Sequence, residues 1–208
     1  AGLMSRFAEV AARNPYAMFE APATLEAIRD ESQKNRMISD PHLKSMVAKD
    51  GVNQAAALVM TRYETAESLG VADRAIFLHG HATGSEPAVL NRPSLAQAES
   101  MTAAYHGALR NAGIEAHQLG AMDLYSCFPI AVWCAMDALG VTLDDPRPLT
   151  LTGGLSFFGG PGNNYSTHGI AEMVHWLRAR SEPSYGLVGA NGGYLSKHAV
   201  GVYANVSS

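Results

Sequence analysis

The sequence has few cysteines, and its apolar runs are short. Its 208 residues include two cysteines, Cys127 and Cys134, which do not form a C-x-x-C pair. We therefore expect no disulfide framework, and a reducing, cytoplasmic compartment fits this cysteine usage best. The longest apolar run covers residues 128–136 and contains a proline, whereas a membrane helix needs roughly 20 apolar residues. No membrane span is expected, and residues 1–15 do not resemble a secretion signal.

The chain also lacks a strong excess of one charge. It carries 15 basic and 19 acidic residues, and its formal net charge is −4. It has no polybasic stripe, so nucleic acid is not an expected partner. Neither internal repeats nor low-complexity segments occur. A hydrophobic content of 47% is ordinary for a globular protein, and a chain of this length can bury about 70% of its unfolded surface.

Prolines divide the first fifty residues into short segments. Helical patterns stop near Pro15, Pro22 and Pro41, which predicts several short helices joined by turns. The pattern changes at Val52, where VNQAAALVMT predicts a buried strand. Helical and strand-like segments then alternate: YETAESLG, RAIFLHGH, SLAQAESMTAAYHGALRNAG, AMDLYSC, PIAVWCAMDALG, PLTLTGG, THGIAEMVHWLRAR, SYGLVGA and HAVGVYANV. This alternation predicts a layered α/β domain with a central sheet.

A glycine-rich hinge joins the predicted strand PLTLTGG to the helix that follows. Residues 151–168 read LTGGLSFFGGPGNNYSTH and contain five glycines. Glycines permit positive φ and let N–H groups approach a ligand. The helix that begins near Asn163 or Asn164 directs its N-terminus to the same place. The pattern outlines an anion or oxyanion site, with a tight packing turn as the alternative. It matches neither nucleotide fingerprint, G-x-x-x-x-G-K-[ST] or G-x-G-x-x-G.

Two further loops follow predicted strand ends. DLYSCFP at 123–129 and GANGGYLSKH at 189–198 carry glycines or polar groups, and such loops bind ligands in α/β sheets. We expect them to converge with the glycine-rich hinge. Cys127 precedes a helix that begins at Pro129, and a helix N-terminus favours thiolate. Cys127 is therefore a candidate nucleophile or acid/base, with a buried apolar role as the alternative. Cys134 is predicted to lie in the core.

Histidines supply further candidates. His79 and His81 flank a glycine, but without a nearby carboxylate or a third histidine at ligand spacing they do not predict a metal site. His168 lies one turn into the helix after the hinge, and His198 follows GGYLSK. Each of these two either reaches a pocket or lies on the surface.

The three loops together resemble the C-terminal half of a thiolase. Thiolases carry an N-E-A-F or H-D-C-F loop, a G-G-x(4)-G-H-P loop before a helix, and a glycine-rich C-x-G loop. The first is similar to residues 125–128, the second to the glycine pairs of residues 153–161, and the third to residues 189–193. The relatives that this chain resembles most are acetyl-CoA acetyltransferases of thiolase type and the sterol-carrier-type thiolases.

The resemblance implies a fold and a domain division. Residues 51–208 are expected to form a thiolase-like half-domain of order β-α-β-α-β-α-β-β, whose mixed five-stranded sheet carries helices on both faces. Residues 1–50 are similar to the end of the family's loop domain, with its short helices. The acyl-accepting nucleophile of the family lies in the N-terminal half, to which no part of this chain corresponds.

Three positions depart from the family's motifs. The histidine of G-H-P falls on Gly160, the residue that opens the acid loop falls on Tyr125, and the cysteine of C-x-G falls on Gly189. Cys127 matches the cysteine of H-D-C-F, which takes the acid/base role in sterol-carrier-type thiolases. The resemblance therefore implies Cys127 as the proton-transfer residue, Tyr125 as its polar partner and His168 as a stand-in for the absent histidine.

The resemblance also implies a substrate and partners. A coenzyme A thioester is the expected substrate, no cofactor or metal is expected, and the partners are acyl-CoA and an N-terminal thiolase half. A homodimer is the further alternative, because thiolases pair through that half. The loops that hold the thioester oxygen are expected to contain Gly154, Gly160, Asn164, Asn191 and Gly192.

Three functional hypotheses follow. The first is an acyl-CoA acyltransferase that acts by Claisen-type chemistry and obtains its nucleophile from the other half. The second is a catalytically degenerate thiolase-like module that binds coenzyme A esters or a protein partner; the glycine at position 160 favours it. The third is a metal hydrolase that uses His79 and His81.

Overall fold

The structure is a computed structural model that describes residues 1–20 and 24–207. Pro22, where the sequence predicts a helix boundary, lies outside the described residues. Within them, no helix is both long enough and apolar enough to cross a membrane. The helices are α1 (Gly2–Ala11), α2 (Leu25–Arg29), α3 (Tyr63–Ser68), α4 (Glu99–Ala112), α5 (Pro129–Leu139) and α6 (Tyr165–Arg178). The strands are β1 (Met37–Ser39), β2 (His42–Leu43), β3 (Phe77–Ser85), β4 (Leu119–Asp123), β5 (Tyr185–Gly192) and β6 (Lys197–Ala204).

The central sheet is mixed and has the strand order β3-β6-β5-β4. Strands β4 and β5 are parallel, whereas β6 is antiparallel to both β5 and β3. The strand predicted at PLTLTGG does not form. The segment nevertheless runs beside β4: the carbonyl of Pro148 accepts the N–H of Met122, and the carbonyl of Leu149 accepts the N–H of Leu124. The described residues therefore form a central sheet of four strands instead of the expected five.

Helices cover both faces of this sheet, as predicted. Met122 and Leu187 point to the core shared with α4 and α5, while their neighbours Ala121 and Val188 point to the core shared with α6. This division follows from the two-residue period of a strand, which sends successive side chains to opposite faces. The mixed α/β fold with helices on both faces is confirmed.

Sequence signals fix the ends of the two helices beside the site. Helices α4 and α5 end at Gly113 and Gly140, whose φ values of 68° and 64° lie in the left-handed region that favours glycine. Helix α5 has a proline in its first turn, where its missing N–H costs no hydrogen bond. Gly80 of β3 lets α4 approach the sheet closely, because a Cβ there would overlap the backbone of Ala108.

The prediction of a buried strand at VNQAAALVMT is wrong. Residues 51–62 form neither helix nor strand, and Val59 is 97% exposed. The main-chain groups of Ala56 bond to the side chain of Asn164, whose Oδ1 accepts at 2.8 Å and whose Nδ2 donates at 3.1 Å. An apolar run becomes a buried strand only when another strand lies beside it, and no described strand does so here.

The N-terminal residues pack into the main core. Leu3 and Phe7 of α1 and Ile28 of α2 belong to the same buried cluster as α4 and α5. Arg6 donates to three carbonyl oxygens, those of Leu143, Asp145 and Arg147. The core is thus continuous across position 50, and the predicted domain boundary at that position stays a prediction.

Candidate functional site

The three loops predicted to converge do so. Ser126 Oγ accepts the N–H of Leu155 at 3.0 Å and joins the first loop to the glycine-rich hinge. The Cys127 thiol donates to Asn191 Oδ1 at 3.7 Å and joins the first loop to the third. Gly189, two residues earlier, packs against the hydroxyl of Tyr105. Asn191 is therefore the residue of the third loop that faces Cys127.

Cys127 sits where α5 begins, half-buried beside Leu155 and Phe158. Burial raises the pKa of its thiol, and the backbone groups of Cys127 and Phe128 oppose that rise only in part. The expectation of a thiolate favoured by the helix N-terminus is therefore wrong. Cys127 is a neutral thiol at physiological pH, which suits a proton donor better than a preformed nucleophile.

Tyr125 lies on the hinge side of the site. Its ring meets that of Tyr165 edge to face, with 5.4 Å between centroids. Burial raises the pKa of the Tyr125 hydroxyl, and the neighbouring Cys127 raises it further. Tyr125 thus remains a neutral phenol beside the thiol.

The glycine-rich hinge is closely packed. Gly153, Gly154 and Gly159 have φ values of 105°, 80° and 132°, which L side chains rarely adopt. A Cβ on Gly154 would stand 2.7 Å from Ser126 Oγ, the atom that ties the hinge to the first loop. Glycine is therefore required here both by backbone conformation and by the close approach of two loops.

The N–H groups of the hinge have partners within the chain. Gly154 donates to Thr152 Oγ1 at 3.1 Å, and Gly160 donates to the carbonyl of Lys49 at 2.8 Å. A Cβ at position 160 would lie 3.1 Å from the same Lys49 oxygen. The Lys49 carbonyl therefore crowds the position expected to hold a catalytic histidine, and neither N–H is free for an oxyanion in this structure.

The remaining predicted loop residues have different surroundings. The side chain of Asn164 forms hydrogen bonds with the main chain of Ala56, as described above. Gly192 is half-buried, and its carbonyl accepts the N–H of Ser196 at 2.9 Å in the β5–β6 turn. The roles assigned to these residues in thioester binding stay predictions.

His168 is buried against the hinge. Its ring meets that of Phe158 edge to face with 5.2 Å between centroids, and its Nε2 has no hydrogen-bond partner within the part of the chain that the structure describes. Burial lowers the pKa of its imidazole, so it is neutral at physiological pH. No hydrogen bond joins His168 to Cys127 or Asn191, and its role as a stand-in base stays a prediction.

Asp123 was not identified from the sequence as a site residue, although it anchors the hinge. Its side chain is fully buried, and Oδ2 accepts the N–H groups of Leu151 at 2.8 Å and Thr152 at 3.0 Å. The hydroxyls of Thr150 and Thr152 donate to the same oxygen at 3.0 and 3.1 Å. Burial raises the pKa of Asp123, and these four hydrogen bonds oppose that rise. The only sequence signal was a carboxylate at the end of a buried strand.

The other candidates lie apart from the three loops. Among the described residues, no three His, Cys, Asp or Glu side chains are grouped as metal ligands. His79 Nε2 bonds the carbonyl of Val206, and His81 is exposed. Cys134 is half-buried and lines a cavity of about 480 Å³ between α4 and α5, which none of the three loops reaches.

Comparison with known proteins supports the thiolase resemblance. No protein-family model matches the sequence, and no curated protein does. The fold is similar to the crystal structure of a monomeric SCP2-thiolase-like protein type 1 from Mycobacterium smegmatis, with a TM-score of 0.93 and 46% sequence identity. The similarity covers 99% of this chain, which spans 45% of the length of that protein. The predicted resemblance to the thiolase superfamily is thereby confirmed: this chain has a thiolase-like fold.

Proposed function

We propose that this chain is part of an acyl-CoA acyltransferase that makes or breaks a carbon–carbon bond in coenzyme A thioesters. The observation that carries the proposal is the contact between the Cys127 thiol and Asn191 Oδ1, at the place where three loops meet. A neutral thiol held among loops at the strand ends is suited to protonate a carbon atom of a bound substrate.

The proposed proton transfer is simplest in the direction of cleavage. The bond between the second and third carbons of a 3-oxoacyl thioester breaks, and its electron pair remains on the second carbon. The proton of the Cys127 thiol moves to that carbon, while the remaining acyl group stays on a separate nucleophile and passes from it to coenzyme A. Tyr125, a neutral hydroxyl next to the thiol, orients the thioester.

We propose that the nucleophile belongs to a different part of a longer polypeptide. The segment at residues 51–62 supports this, because it lies outside the sheet and exposes apolar side chains, among them Val59 and Met60, that a further part of a polypeptide could cover. Since the similar protein is described as monomeric, we propose a monomer in preference to a homodimer. A single sharp mass in light scattering, independent of concentration, tests this choice.

The degenerate module remains the second candidate, and the hinge is the observation that favours it. Gly160 supplies no side chain, and the N–H groups of Gly154 and Gly160 already have partners. On this alternative, the pocket binds a coenzyme A ester without turning it over.

Cleavage of acetoacetyl-CoA by the full-length protein separates the two candidates. With Cys127→Ala, we expect kcat to fall by about 10²–10⁴-fold, the usual contribution of an acid/base group. Cys134→Ala is the matched control and should leave kcat unchanged. If wild-type protein binds acetoacetyl-CoA but never cleaves it, the degenerate module is correct; if Cys127→Ala cleaves normally, Cys127 does not have the proposed role.

A further inference from the structure

A row of polar groups crosses one end of the sheet and reaches Cys127. Gly84 of β3, His198 of β6 and Asn191 of β5 are direct cross-strand neighbours. Directly paired residues in antiparallel strands point to the same face. The side chains of His198 and Asn191 are therefore on one face, and Asn191 contacts Cys127 at 3.7 Å.

Polar side-chain atoms of two residues, His198 and Ser100, are buried at this end of the sheet. His198 is only 3% exposed, and among the described residues neither of its ring nitrogens has a hydrogen-bond partner of ordinary geometry. The backbone of Leu195 nevertheless lies close enough to raise the pKa of the imidazole. Ser100 Oγ, at the start of α4, has no partner of ordinary geometry among the described residues, although the Ser100 side chain helps to lower the pKa of Glu86. Ser100 lies directly above Gly84. Buried polar atoms almost always have partners, and where side chains supply none, ordered water commonly does.

A carboxylate stands on the far side of His198 from Cys127. Glu86 Oε1 accepts the N–H of Ser100 at 2.7 Å, and its charge acts directly on the His198 imidazole. Arg92 holds this region in place, because it donates to Ser196 Oγ at 2.8 Å and to the carbonyl of Tyr194 at 2.9 Å. The order along the row is thus thiol, amide, imidazole and carboxylate.

We propose that His198 is the proton acceptor for Cys127, that the proton travels through water held between them beside Asn191, and that Glu86 stabilises the imidazolium. In the direction of bond formation, the S–H bond breaks, an N–H bond forms on His198, and the Cys127 thiolate then takes a proton from the second carbon of the substrate. In the direction of cleavage, the thiolate that remains once Cys127 has protonated that carbon takes its proton back from the imidazolium. This inference rests on the proposed role of Cys127. His198 acts through water and not on the substrate, because two strand spacings, about 10 Å, separate the strand of His198 from the end of β4.

The charges around His198 suit this role. Burial lowers the pKa of the His198 imidazole, Glu86 and the backbone of Leu195 raise it, and Arg92 lowers it. The net shift is downward, so the ring is neutral and can accept a proton at physiological pH. Tyr105 of α4, packed under β5, is fully buried with its pKa strongly raised and stays uncharged. The arrangement follows the general logic of a nucleophile or acid whose base is stabilised by a third group.

Alkylation of Cys127 by iodoacetamide as a function of pH tests the proposal. The full-length protein is used, and peptide mass spectrometry distinguishes Cys127 from other cysteines. With His198→Gln, we expect the midpoint of reactivity to rise and the rate at pH 7 to fall about tenfold, which corresponds to one pH unit of thiol pKa. His106→Gln removes an exposed imidazole of α4 and should leave the profile unchanged. An unchanged profile in His198→Gln overturns the proposal.

Two further measurements test the proposal even if His198→Gln does not fold. Glu86→Gln keeps an oxygen for the Ser100 N–H but removes the charge, so the midpoint should move in the same direction as with His198→Gln. The NMR titration curve of the His198 imidazole should differ between wild-type protein and Cys127→Ser. Identical curves in the two proteins would also overturn the proposal.

The outcome is distinguishable from failure of the proposed function. Alkylation needs no acyl transfer, so a shifted profile in a protein that never cleaves acetoacetyl-CoA supports the His198 relay and contradicts the acyltransferase. Loss of cleavage in Cys127→Ala with an unshifted profile in His198→Gln supports the acyltransferase and contradicts the relay.

Discussion

Replacing Asp123 by alanine should destabilise the fold strongly, because one carboxylate oxygen holds the start of the glycine-rich hinge. Four donors share Asp123 Oδ2. In the variant the two threonine hydroxyls can pair with each other, since Thr150 Oγ1 and Thr152 Oγ1 already stand 3.1 Å apart. The N–H groups of Leu151 and Thr152 have no such alternative.

The magnitude follows from these two N–H groups. An unpaired donor in the interior costs about 1–3 kcal/mol, so Asp123→Ala should lower the free energy of unfolding by about 2–6 kcal/mol. Domains are typically stable by about 5–15 kcal/mol, so this loss is large enough to threaten folding. Asp123→Asn keeps one carbonyl oxygen for the N–H groups and should cost less than Asp123→Ala.

Urea denaturation monitored by circular dichroism measures the loss, and hydrogen exchange locates it. We expect faster exchange at residues 151–155 in Asp123→Ala. Asp144→Ala is the matched control, because Asp144 is exposed. If Asp123→Ala and Asp144→Ala unfold within 1 kcal/mol of each other, on the order of an ordinary surface effect, the account of Asp123 as the anchor of the hinge is refuted.

Two further predictions concern stability. Gly80→Ala should lower the free energy of unfolding by about 1–3 kcal/mol, because the added Cβ would overlap the backbone of Ala108 and push α4 away from the sheet. The control in the same thermal melt is Gly51→Ala, whose added Cβ would meet nothing within 4 Å. Arg147 lowers the pKa of Asp145 through a 2.6 Å ion pair, so this carboxylate contributes stability above its unfolded pKa of about 3.9 and loses it as the pH falls through the lower folded value. The stability difference between wild type and Asp145→Asn should therefore be largest at neutral pH and shrink below about pH 4; a difference constant with pH would contradict this.

Local signals predicted most of the elements correctly. The helical period and the glycines at positions 113 and 140 predict α4 and α5 with their ends, because both signals act between residues three or four apart. The failure at residues 51–62 has the opposite origin. An apolar run gives the tendency to form a strand, but the partner strand must come from elsewhere in a polypeptide.

The site was predicted in outline only. The pattern of loops after strand ends correctly brought Cys127 and Asn191 into one region, since neighbouring strand ends share an edge of the sheet. The thiolate expected at Cys127 was wrong, because the pattern shows the helix N-terminus but not the burial that raises the thiol pKa. Asp123 was not distinguished from other polar residues, and for His198 the sequence left open whether it reaches a pocket or lies on the surface, because both questions depend on burial and on partners far along the chain.

The order of most elements, the glycine turns of the hinge and the resemblance to thiolases can be read from the sequence alone, because glycines, prolines and side-chain periodicity act over a few residues. Which polar groups have hydrogen-bond partners depends instead on how distant segments pack together. The N–H of Gly160 is used by Lys49, more than a hundred residues earlier, whereas the buried imidazole of His198 has no side-chain partner among the described residues. Packing of the sheet and helices brings distant segments together, and it thereby gives some polar groups a hydrogen-bond partner and buries others without one.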